Sequence, residues 1–312
     1  MLWGHAPSEI AALTRDRENK LFLPGFPLPD GIQPVAELDE ALEYSDDILL
    51  VIPSHAFADV VRRIAPRLGP HSGVAWATKG LDPASGRLLH EVAREALGNR
   101  ELAVVSGPSF AKEVAAGLPT AVAVASSSTS FAQRIAALLH GDRFRAYTNE
   151  DVIGVEVGGA AKNVLAIATG IADGLGFGAN TRAAIITRGL AELIRLGTAL
   201  GGRRETFMGL AGLGDLVLTC TDDQSRNRRM GLALARGLDV ERAKQEIGQE
   251  VEGVITAKTV WTIAQRLGLA MPITEQIFRV LYQGTTPSEA AAALLERTSK
   301  PEIDDAWEAV RE

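Results

Sequence analysis

The 312-residue sequence contains a single cysteine, Cys220. One thiol cannot form a disulfide within the chain, and this usage fits a reducing compartment, so we expect a cytoplasmic protein. Because Cys220 lies in an apolar run, we expect it in the core and not as a nucleophile. None of the histidines has the spacing of metal ligands, and we predict no structural metal. The histidines are His5, His55, His71, His90 and His140.

The chain also lacks an excess of positive charge, since its formal net charge is −7. This balance argues against nucleic acid as a partner and repels anionic ligands at long range. A site for an anion would therefore need locally clustered cations. The first thirty residues have no apolar core of a signal peptide, and the longest apolar run is interrupted by charge and glycine. We therefore expect no integral membrane segment.

The first half of the sequence alternates short apolar segments with helical patterns. The predicted strands are Ile48–Ile52, Gly73–Thr78, Leu102–Val105, Thr120–Ala125 and Phe144–Tyr147. The predicted helices between them cover residues 55–68, 88–97 and 131–139. This alternation is typical of an α/β domain with a largely parallel sheet. Ligands of such sheets bind beyond the carboxyl ends of the strands, which is where Ser54, Lys79 and Ser109 fall.

From Asp151 onward the periodicity becomes helical, and alternation typical of strands is essentially missing. The predicted helices cover residues 151–175, 181–200, 225–236, 240–247, 253–267, 273–283 and 287–296. Thr286 and Glu289 predict a capping box at the start of the last helix, with Pro287 at its first position. Residues 299–312 form a charged tail. The second half is thus predicted to be an all-α domain.

Lys162 is the only basic residue in an apolar, glycine-rich stretch from Val152 to Ile171. Such a lysine must reach the surface, pair with a carboxylate, or acquire a lowered pKa through desolvation. The last outcome gives an ammonium that can release a proton near neutral pH, as carbonyl chemistry requires. Gly158 and Gly159 allow close backbone approach one turn earlier, and Asn163 adds an amide. We therefore favour a functional lysine over a surface one.

A second block, residues 212–229, supplies groups that suit a phosphorylated substrate. Asp215 and Thr219 are four residues apart and share one face of a helix, where Asp215 could hold or tune Lys162. Arg226 with Asn227 offers a guanidinium fork and an amide for a phosphate. The alternative for these arginines is a solvated charged face.

These blocks carry a resemblance to a known family. The runs ATKG at 77–80, SGPSFAKE at 106–113, GGAAKN at 158–163, GLGDLVLTCT at 212–221 and SRNRR at 225–229 resemble bacterial-type glycerol-3-phosphate dehydrogenase (NAD(P)⁺). The resemblance implies a Rossmann-like dinucleotide-binding domain over residues 1–149 and an all-α substrate and catalytic domain over residues 150–312. It implies reduction of dihydroxyacetone phosphate to sn-glycerol 3-phosphate, with NADP or NAD as cofactor, in support of glycerophospholipid synthesis. A homodimer is compatible with it, although the sequence leaves the oligomeric state open.

The resemblance also implies a role for each matching residue. Lys162 corresponds to the acid/base residue. The implied substrate contacts are Lys79, Gly107, Ser109, Lys162, Asp215, Ser225, Arg226 and Asn227. The implied cofactor contacts are His5, Lys79, Ala111, Arg226, Glu250 and Glu252. The residues alone leave open whether Asp215 orients the lysine or acts as a general carboxylate.

One part of the family pattern is missing, because no G-x-G-x-x-G turn occurs in the 312 residues. That turn and the following helix bind the pyrophosphate, so we expect the chain as written to bind NADP(H) poorly. Family layout implies about thirty further residues upstream, with a strand and this turn. We expect an open reading frame for them before the first codon.

The residues at the start of the chain bear on coenzyme choice. An NAD-selective fold places a carboxylate at the end of the second strand, but here Trp3-Gly4-His5 precedes the first acid, Glu9. This absence favours NADPH, with His5 as a contact. Two other functions stay open: another β-hydroxyacid-dehydrogenase-like oxidoreductase, and an inactive paralogue without its nucleotide loop.

Overall fold

The computed structural model describes residues 1–298, and the predicted charged tail, residues 299–312, lies outside this range. The chain divides into two compact units. The first comprises Met1–Thr78 and Leu89–Val152; the second comprises Lys79–Leu88 and the chain from Ile153 onward. The short Lys79–Leu88 segment follows a strand of the first unit, so periodicity along the chain could not assign it to the helical unit.

The first unit contains two sheets. Its strands are β1 (Leu2–Trp3), β2 (Pro34–Val35), β3 (Asp47–Leu50), β4 (Gly73–Trp76), β5 (Leu102–Ser106), β6 (Thr120–Ala125) and β7 (Phe144–Asn149). β1 pairs with β2 in parallel, and the larger sheet has the order β3-β4-β5-β6-β7. In the larger sheet only the pairing of β5 with β6 is antiparallel. The predicted, largely parallel sheet is therefore confirmed.

The helices of this unit are α1 (Pro7–Asp16), α2 (Leu38–Glu43), α3 (Ser54–Ile64), α4 (Leu89–Leu97), α5 (Ala111–Ala115) and α6 (Thr129–Leu139). Packing of α6 on the sheet illustrates why the strands need small residues. The ring of Phe131 is fully buried, and a Cβ added at Gly73 would lie 2.4 Å from its Cε2 atom. Glycine at position 73 therefore makes room for the aromatic ring.

Three of these helices were not predicted from the sequence. α1 buries only Ile10 and α2 only Leu38, so neither carries the broad apolar stripe that signals a packed helix. α5 has five residues and buries none of them. None of the three has a side-chain hydrogen bond at its N-cap, so tertiary contacts decide such elements more than local signals do.

The described residues of the second unit form helices and no strands, as predicted. Its helices are α7 (Val152–Gly174), α8 (Gly178–Ala199), α9 (Arg204–Phe207), α10 (Asp215–Thr221), α11 (Arg226–Ala235), α12 (Val240–Ile247), α13 (Glu252–Arg266), α14 (Pro272–Tyr282) and α15 (Pro287–Leu295). A short π-helical segment, Leu210–Gly214, leads directly into α10. The predicted capping box is confirmed, because Thr286 and Glu289 exchange side-chain and backbone hydrogen bonds at the start of α15.

Helix α7 forms the centre of this unit. It is 23 residues long and apolar enough to cross a membrane by length and composition, yet 89% of its most apolar window is buried inside the protein. It is a core helix surrounded by other helices, which explains why it is apolar on nearly every face. Polar side chains on such a helix must find partners within the protein.

Candidate active site

The candidate site is built on α7, where Lys162 is 5% exposed. One turn earlier, Gly158 faces the π-helical segment, and a Cβ at this position would lie 2.6 Å from the carbonyl oxygen of Ala211. Gly158 therefore lets the backbone before α10 approach α7. Gly212 packs against the end of α9, since a Cβ there would lie 2.1 Å from the oxygen of Phe207. The approach places Asp215, the first residue of α10, beside the lysine.

Asp215 joins two lysines. Its Oδ1 atom accepts a hydrogen bond from Nζ of Lys162, and its Oδ2 atom lies 2.6 Å from Nζ of Lys79. Lys162 also donates to Oγ1 of Thr219 at 2.8 Å, one turn further along α10. The side chain of Asp215 is 2% exposed and that of Lys79 is 22% exposed. The group contains two cations and one anion, so it carries a net positive charge beside buried apolar surface.

This surrounding sets the proton affinity of Lys162. Burial lowers its pKa to about 8, and the positive charge of Lys79 lowers it as well, while the carboxylate of Asp215 opposes both. Burial alone would raise the pKa of Asp215, but the two ammonium groups outweigh it and hold this pKa below its usual value. Asp215 is therefore ionised at neutral pH, and Lys162 can give up or take a proton in the physiological range.

The residues predicted to bind phosphate lie at the start of α11. Ser225 caps the helix by accepting a hydrogen bond from the backbone N–H of Arg228 at 3.2 Å. Asn227 is buried; its Nδ2 donates to Oδ1 of Asn163, and its Oδ1 accepts from the N–H of Gly253, both at 2.9 Å. Arg226 is exposed at the helix N-terminus. Of the predicted triplet, Arg226 is thus the residue most accessible to a phosphate.

The two predicted acidic cofactor contacts lie near the same arginine. Glu252 is the first residue of α13, and Glu250 lies just before it. The charges of both carboxylates act on Arg226. Desolvation, together with the positive charge of Arg229, outweighs the two carboxylates and holds the pKa of Arg226 below its usual value.

The other predicted contacts belong to the first unit. Gly107 follows β5 with a φ of 147°, a conformation that favours glycine. A Cβ there would lie 3.0 Å from Cα of Val122, so the backbone is also tightly packed. Ser109 donates its hydroxyl to the oxygen of Gly107 at 3.0 Å, which closes the loop. Ala111 begins α5, and His5 lies exposed after β1.

The sequence offered no signal for two further features. Lys79 and Asp215 are 136 residues apart, and nothing local indicates that they share a carboxylate. Asp173, near the end of α7, forms a buried ion pair with Arg228 that was not anticipated. A lone acid near the end of an apolar helix was the only available hint.

Cys220 is buried, and burial raises the pKa of its thiol to about 12, so it is a core residue as predicted. Within residues 1–298, no group of three or more His, Cys, Asp or Glu side chains could hold a metal ion.

Comparison with known proteins agrees with this architecture. Residues 1–132 match the family model described as NAD-dependent glycerol-3-phosphate dehydrogenase N-terminus, and residues 151–292 match the corresponding C-terminus. The chain is 58% identical over 307 residues to glycerol-3-phosphate dehydrogenase [NAD(P)+] of Shewanella sediminis, covering 98% of this chain and 91% of that protein. The Aeromonas hydrophila protein of the same name is 59% identical, with 97% and 91% covered.

A crystal structure of glycerol-3-phosphate dehydrogenase from Coxiella burnetii is similar to the whole fold. Its TM-score is 0.92 at 49% identity, and 95% of this chain and 91% of that chain are covered. The fold and site define a two-part nicotinamide-dependent dehydrogenase. The chain belongs to the NAD-dependent glycerol-3-phosphate dehydrogenase family. This membership overturns the alternative of another β-hydroxyacid-dehydrogenase-like family.

Proposed function

We propose that this chain catalyses the reversible, NAD(P)-dependent reduction of dihydroxyacetone phosphate to sn-glycerol 3-phosphate. Family membership supplies the reaction, and the buried Lys162–Asp215 pair is the observation that carries its chemistry to this chain. We infer that the product supports glycerophospholipid synthesis. The proposal requires one group that protonates an oxygen and another that holds a phosphate.

Lys162 supplies the proton in the proposed reaction. Reduction of the substrate ketone adds hydride at carbon and leaves a developing alkoxide, which takes the proton from Nζ of Lys162. With a pKa of about 8, most of Lys162 is protonated at neutral pH. The proton is nevertheless held weakly enough for the ammonium to act as an acid. In the oxidative direction the neutral amine takes the proton back from the substrate hydroxyl. The bound nicotinamide supplies or receives the hydride.

Asp215 and Lys79 support the proposed role of Lys162 through orientation and charge. The carboxylate of Asp215 fixes the direction of the Lys162 ammonium and prevents its pKa from falling further in the buried site. Lys79, which shares the other oxygen of the same carboxylate, adds positive charge that stabilises the alkoxide. Thr219 holds a further proton of Lys162, so the ammonium keeps a defined orientation.

Arg226 holds the phosphate in this account. It is exposed at the N-terminus of α11, where free backbone N–H groups and the helix dipole also favour an anion. Ser225 and Asn227 are tied to neighbouring groups and maintain the shape of this turn. Local positive charge at Arg226 and Lys79 offsets the acidic net charge of the chain.

The parallel strands of the first unit support the inference of a nicotinamide dinucleotide site. β3 and β4 are parallel, and β3 is followed by Pro53 and the N-terminus of α3. Such carboxyl ends of parallel strands are where dinucleotides bind. Within the first unit, we infer cofactor contacts at His5, Ala111 and the Gly107 loop. Within the second unit, the family resemblance leads us to infer cofactor contacts at Glu250, Glu252 and Arg226. The absence of a carboxylate at His5 favours NADPH over NADH.

We also infer a reducing, cytoplasmic setting from the single buried cysteine. A homodimer is compatible with membership of this family. An inactive paralogue is the alternative function. The presence of the whole lysine–aspartate–threonine cluster favours an enzyme, since a chain released from catalysis has no reason to keep a buried ammonium group.

A turnover assay tests the proposal. Purified chain should oxidise NADPH or NADH when dihydroxyacetone phosphate is added, and should form sn-glycerol 3-phosphate in equal amount. The kcat/KM values for NADPH and NADH measure the coenzyme preference in the same experiment. Without a G-x-G-x-x-G turn the coenzyme KM values should be high, so the assay is run at coenzyme concentrations that saturate the chain. Absence of turnover under these conditions, in a chain that is folded by circular dichroism, would favour the inactive paralogue.

A further inference from the structure

Two crossing helices carry the two halves of the proposed site. Lys162 lies on α7, and Arg226 begins α11. The backbones of these helices meet through glycine: a Cβ at Gly170 would lie 2.1 Å from the oxygen of Arg228. A Cβ at Gly231 would likewise lie 2.1 Å from the oxygen of Ile167. The two helices are therefore in close backbone contact at this crossing.

Two polar contacts also tie α11 to α7. One is the hydrogen bond from Nδ2 of Asn227 to Oδ1 of Asn163, the residue next to Lys162. The other is an ion pair between Asp173 and Nη1 of Arg228. The side chains of Asp173 and Arg228 are 10% and 9% exposed, so both charges are largely withdrawn from water. Removing one partner of such a pair lowers the stability strongly, because the other charge then stays buried without a partner.

The ion pair belongs to a small network. Oδ2 of Asp173 also accepts a hydrogen bond from Nη1 of Arg182 at 2.8 Å, which brings α8 into the contact. Nε of Arg228 donates to Oδ1 of Asp223 at 2.8 Å, just before α11 begins. Arg228 therefore has defined partners on both sides, and its guanidinium plane is fixed.

The spacing of these residues relates the network to the site. Asp173 lies eleven residues after Lys162 on the same helix, which is about three turns. Arg228 lies two residues after Arg226 in the first turn of α11. A contact between Asp173 and Arg228 therefore fixes where this first turn lies relative to Lys162. Together with the hydrogen bond from Asn227 to Asn163, it constrains the distance between the proton donor and the proposed phosphate ligand.

We propose that Asp173 and Arg228 are positioning residues for the phosphate end of the substrate. They hold Arg226 at the reach from Lys162 that a three-carbon phosphorylated ketone spans. This inference rests on the proposed assignment of the phosphate to Arg226. Neither Asp173 nor Arg228 needs to touch the substrate for this role.

The test measures how much the phosphate group of the substrate increases kcat/KM. It compares kcat/KM for dihydroxyacetone phosphate with kcat/KM for unphosphorylated dihydroxyacetone. We expect Asp173→Asn to lower this ratio by about tenfold to a hundredfold, since small misplacements of a binding group have effects of this size. Activity with dihydroxyacetone should stay near that of the parent. A general loss of structure would lower both activities and would leave the ratio unchanged.

A matched control removes an ion pair at the opposite end of α11. Glu246 pairs with Arg236 at 2.5 Å, and both side chains are about half exposed. Glu246→Gln should leave the ratio at the parent value. Arg226→Ala serves as the reference for complete loss of the phosphate contact. If Arg226→Ala keeps the parent ratio, the phosphate assignment itself is wrong, and the inference falls with it.

In a second outcome, Arg226→Ala lowers the ratio of the two kcat/KM values while a folded Asp173→Asn variant keeps the parent ratio. This result would overturn the positioning role alone. A second pair of variants covers the case in which Asp173→Asn does not fold. Arg228→Lys keeps a cation opposite Asp173, whereas Arg228→Gln removes it, so the lysine variant should retain a clearly higher ratio. Equal ratios in these two variants would overturn the proposal.

Discussion

The ammonium group of Lys162 donates a hydrogen bond to Oδ1 of Asp215, a residue 53 positions later in the sequence. Both side chains are almost wholly buried. The pair costs desolvation energy, and a chain could replace it with apolar residues without losing stability. Its presence in the middle of an apolar core therefore indicates a functional requirement. A buried ammonium with a pKa of about 8 meets the requirement of a proton donor at neutral pH.

The pH dependence of the two reaction directions should follow the protonation of Lys162. Reduction needs the ammonium form, so its rate should be highest at low pH and fall as the pH rises through about 8. Oxidation of sn-glycerol 3-phosphate needs the neutral amine, so its rate should rise through the same range. Steady-state rates between pH 6 and about 10, at saturating cofactor, measure both limbs. Limbs that both rise with pH would contradict the assignment.

Asp215→Asn should move the falling limb of the reductive profile to lower pH. The carboxylate opposes the effects of burial and of Lys79 on Lys162, so its removal should lower the pKa of Lys162 by about one unit or more. The rate itself should also fall, because the ammonium loses its orientation. Thr219→Val removes a neutral partner of the same lysine and should shift the limb less. An unchanged limb in Asp215→Asn would mean that Asp215 does not tune this lysine.

Arg226→Ala should raise KM for dihydroxyacetone phosphate by one to two decades. Loss of one charge-assisted phosphate contact removes about 1.5–3 kcal/mol of binding free energy. Arg236→Ala, a change at the opposite end of α11, is the control and should leave KM unaltered. Cofactor KM is measured alongside, because Arg226 is also expected near the cofactor. A substrate KM within a factor of two of the parent would place the phosphate elsewhere.

Glu192 should make the free energy of unfolding depend on pH. This buried carboxylate accepts hydrogen bonds from the N–H groups of Ile273 and Thr274 at 2.6 and 3.1 Å, at the start of α14. Burial nevertheless raises its pKa to about 7. The folded state then holds the proton more tightly than the unfolded state does. Its contribution to stability is fully present below about pH 4.5 and is lost as the pH rises through about 7.

Glu192→Gln should remove this dependence. The parent should lose about 3 kcal/mol more than the variant between pH 4.5 and 8, on the scale of 1.36 kcal/mol per unit of pKa. Urea unfolding at a series of pH values measures the difference. Parallel stability curves for the two chains would show that Glu192 is already ionised when folded.

Much of the fold was predictable because the local signals agree with the tertiary structure. The strand Thr120–Ala125 and the helix Val240–Ile247 have the predicted bounds, since each carries a clear apolar pattern between turn residues. Thr286 identified the start of α15 by its capping box. Helix α1 was missed because it buries a single residue, Ile10, and has almost no pattern to detect.

The sequence predicts candidate site residues, but it does not predict how they meet in the fold. Lys162 is conspicuous in the sequence, because a charge in an apolar helix needs an explanation. Its contact with Asp215 could be suspected, whereas the second contact of Asp215, with Lys79, depends on how a segment after β4 joins the helical unit. The pairing of Asp173 with Arg228 depends in the same way on the crossing of α7 and α11. Such contacts follow from tertiary packing and leave no local pattern.

The most direct test of the account is turnover by Lys162→Ala. We predict that this variant loses at least a hundredfold in the rate of dihydroxyacetone phosphate reduction, since general acid catalysis contributes about 10²–10⁴-fold. Its circular dichroism should match the parent, because Asp215 keeps Lys79 as a partner. A folded Lys162→Ala variant that retains more than about a hundredth of the parent rate would contradict the central claim that Lys162 is the proton donor.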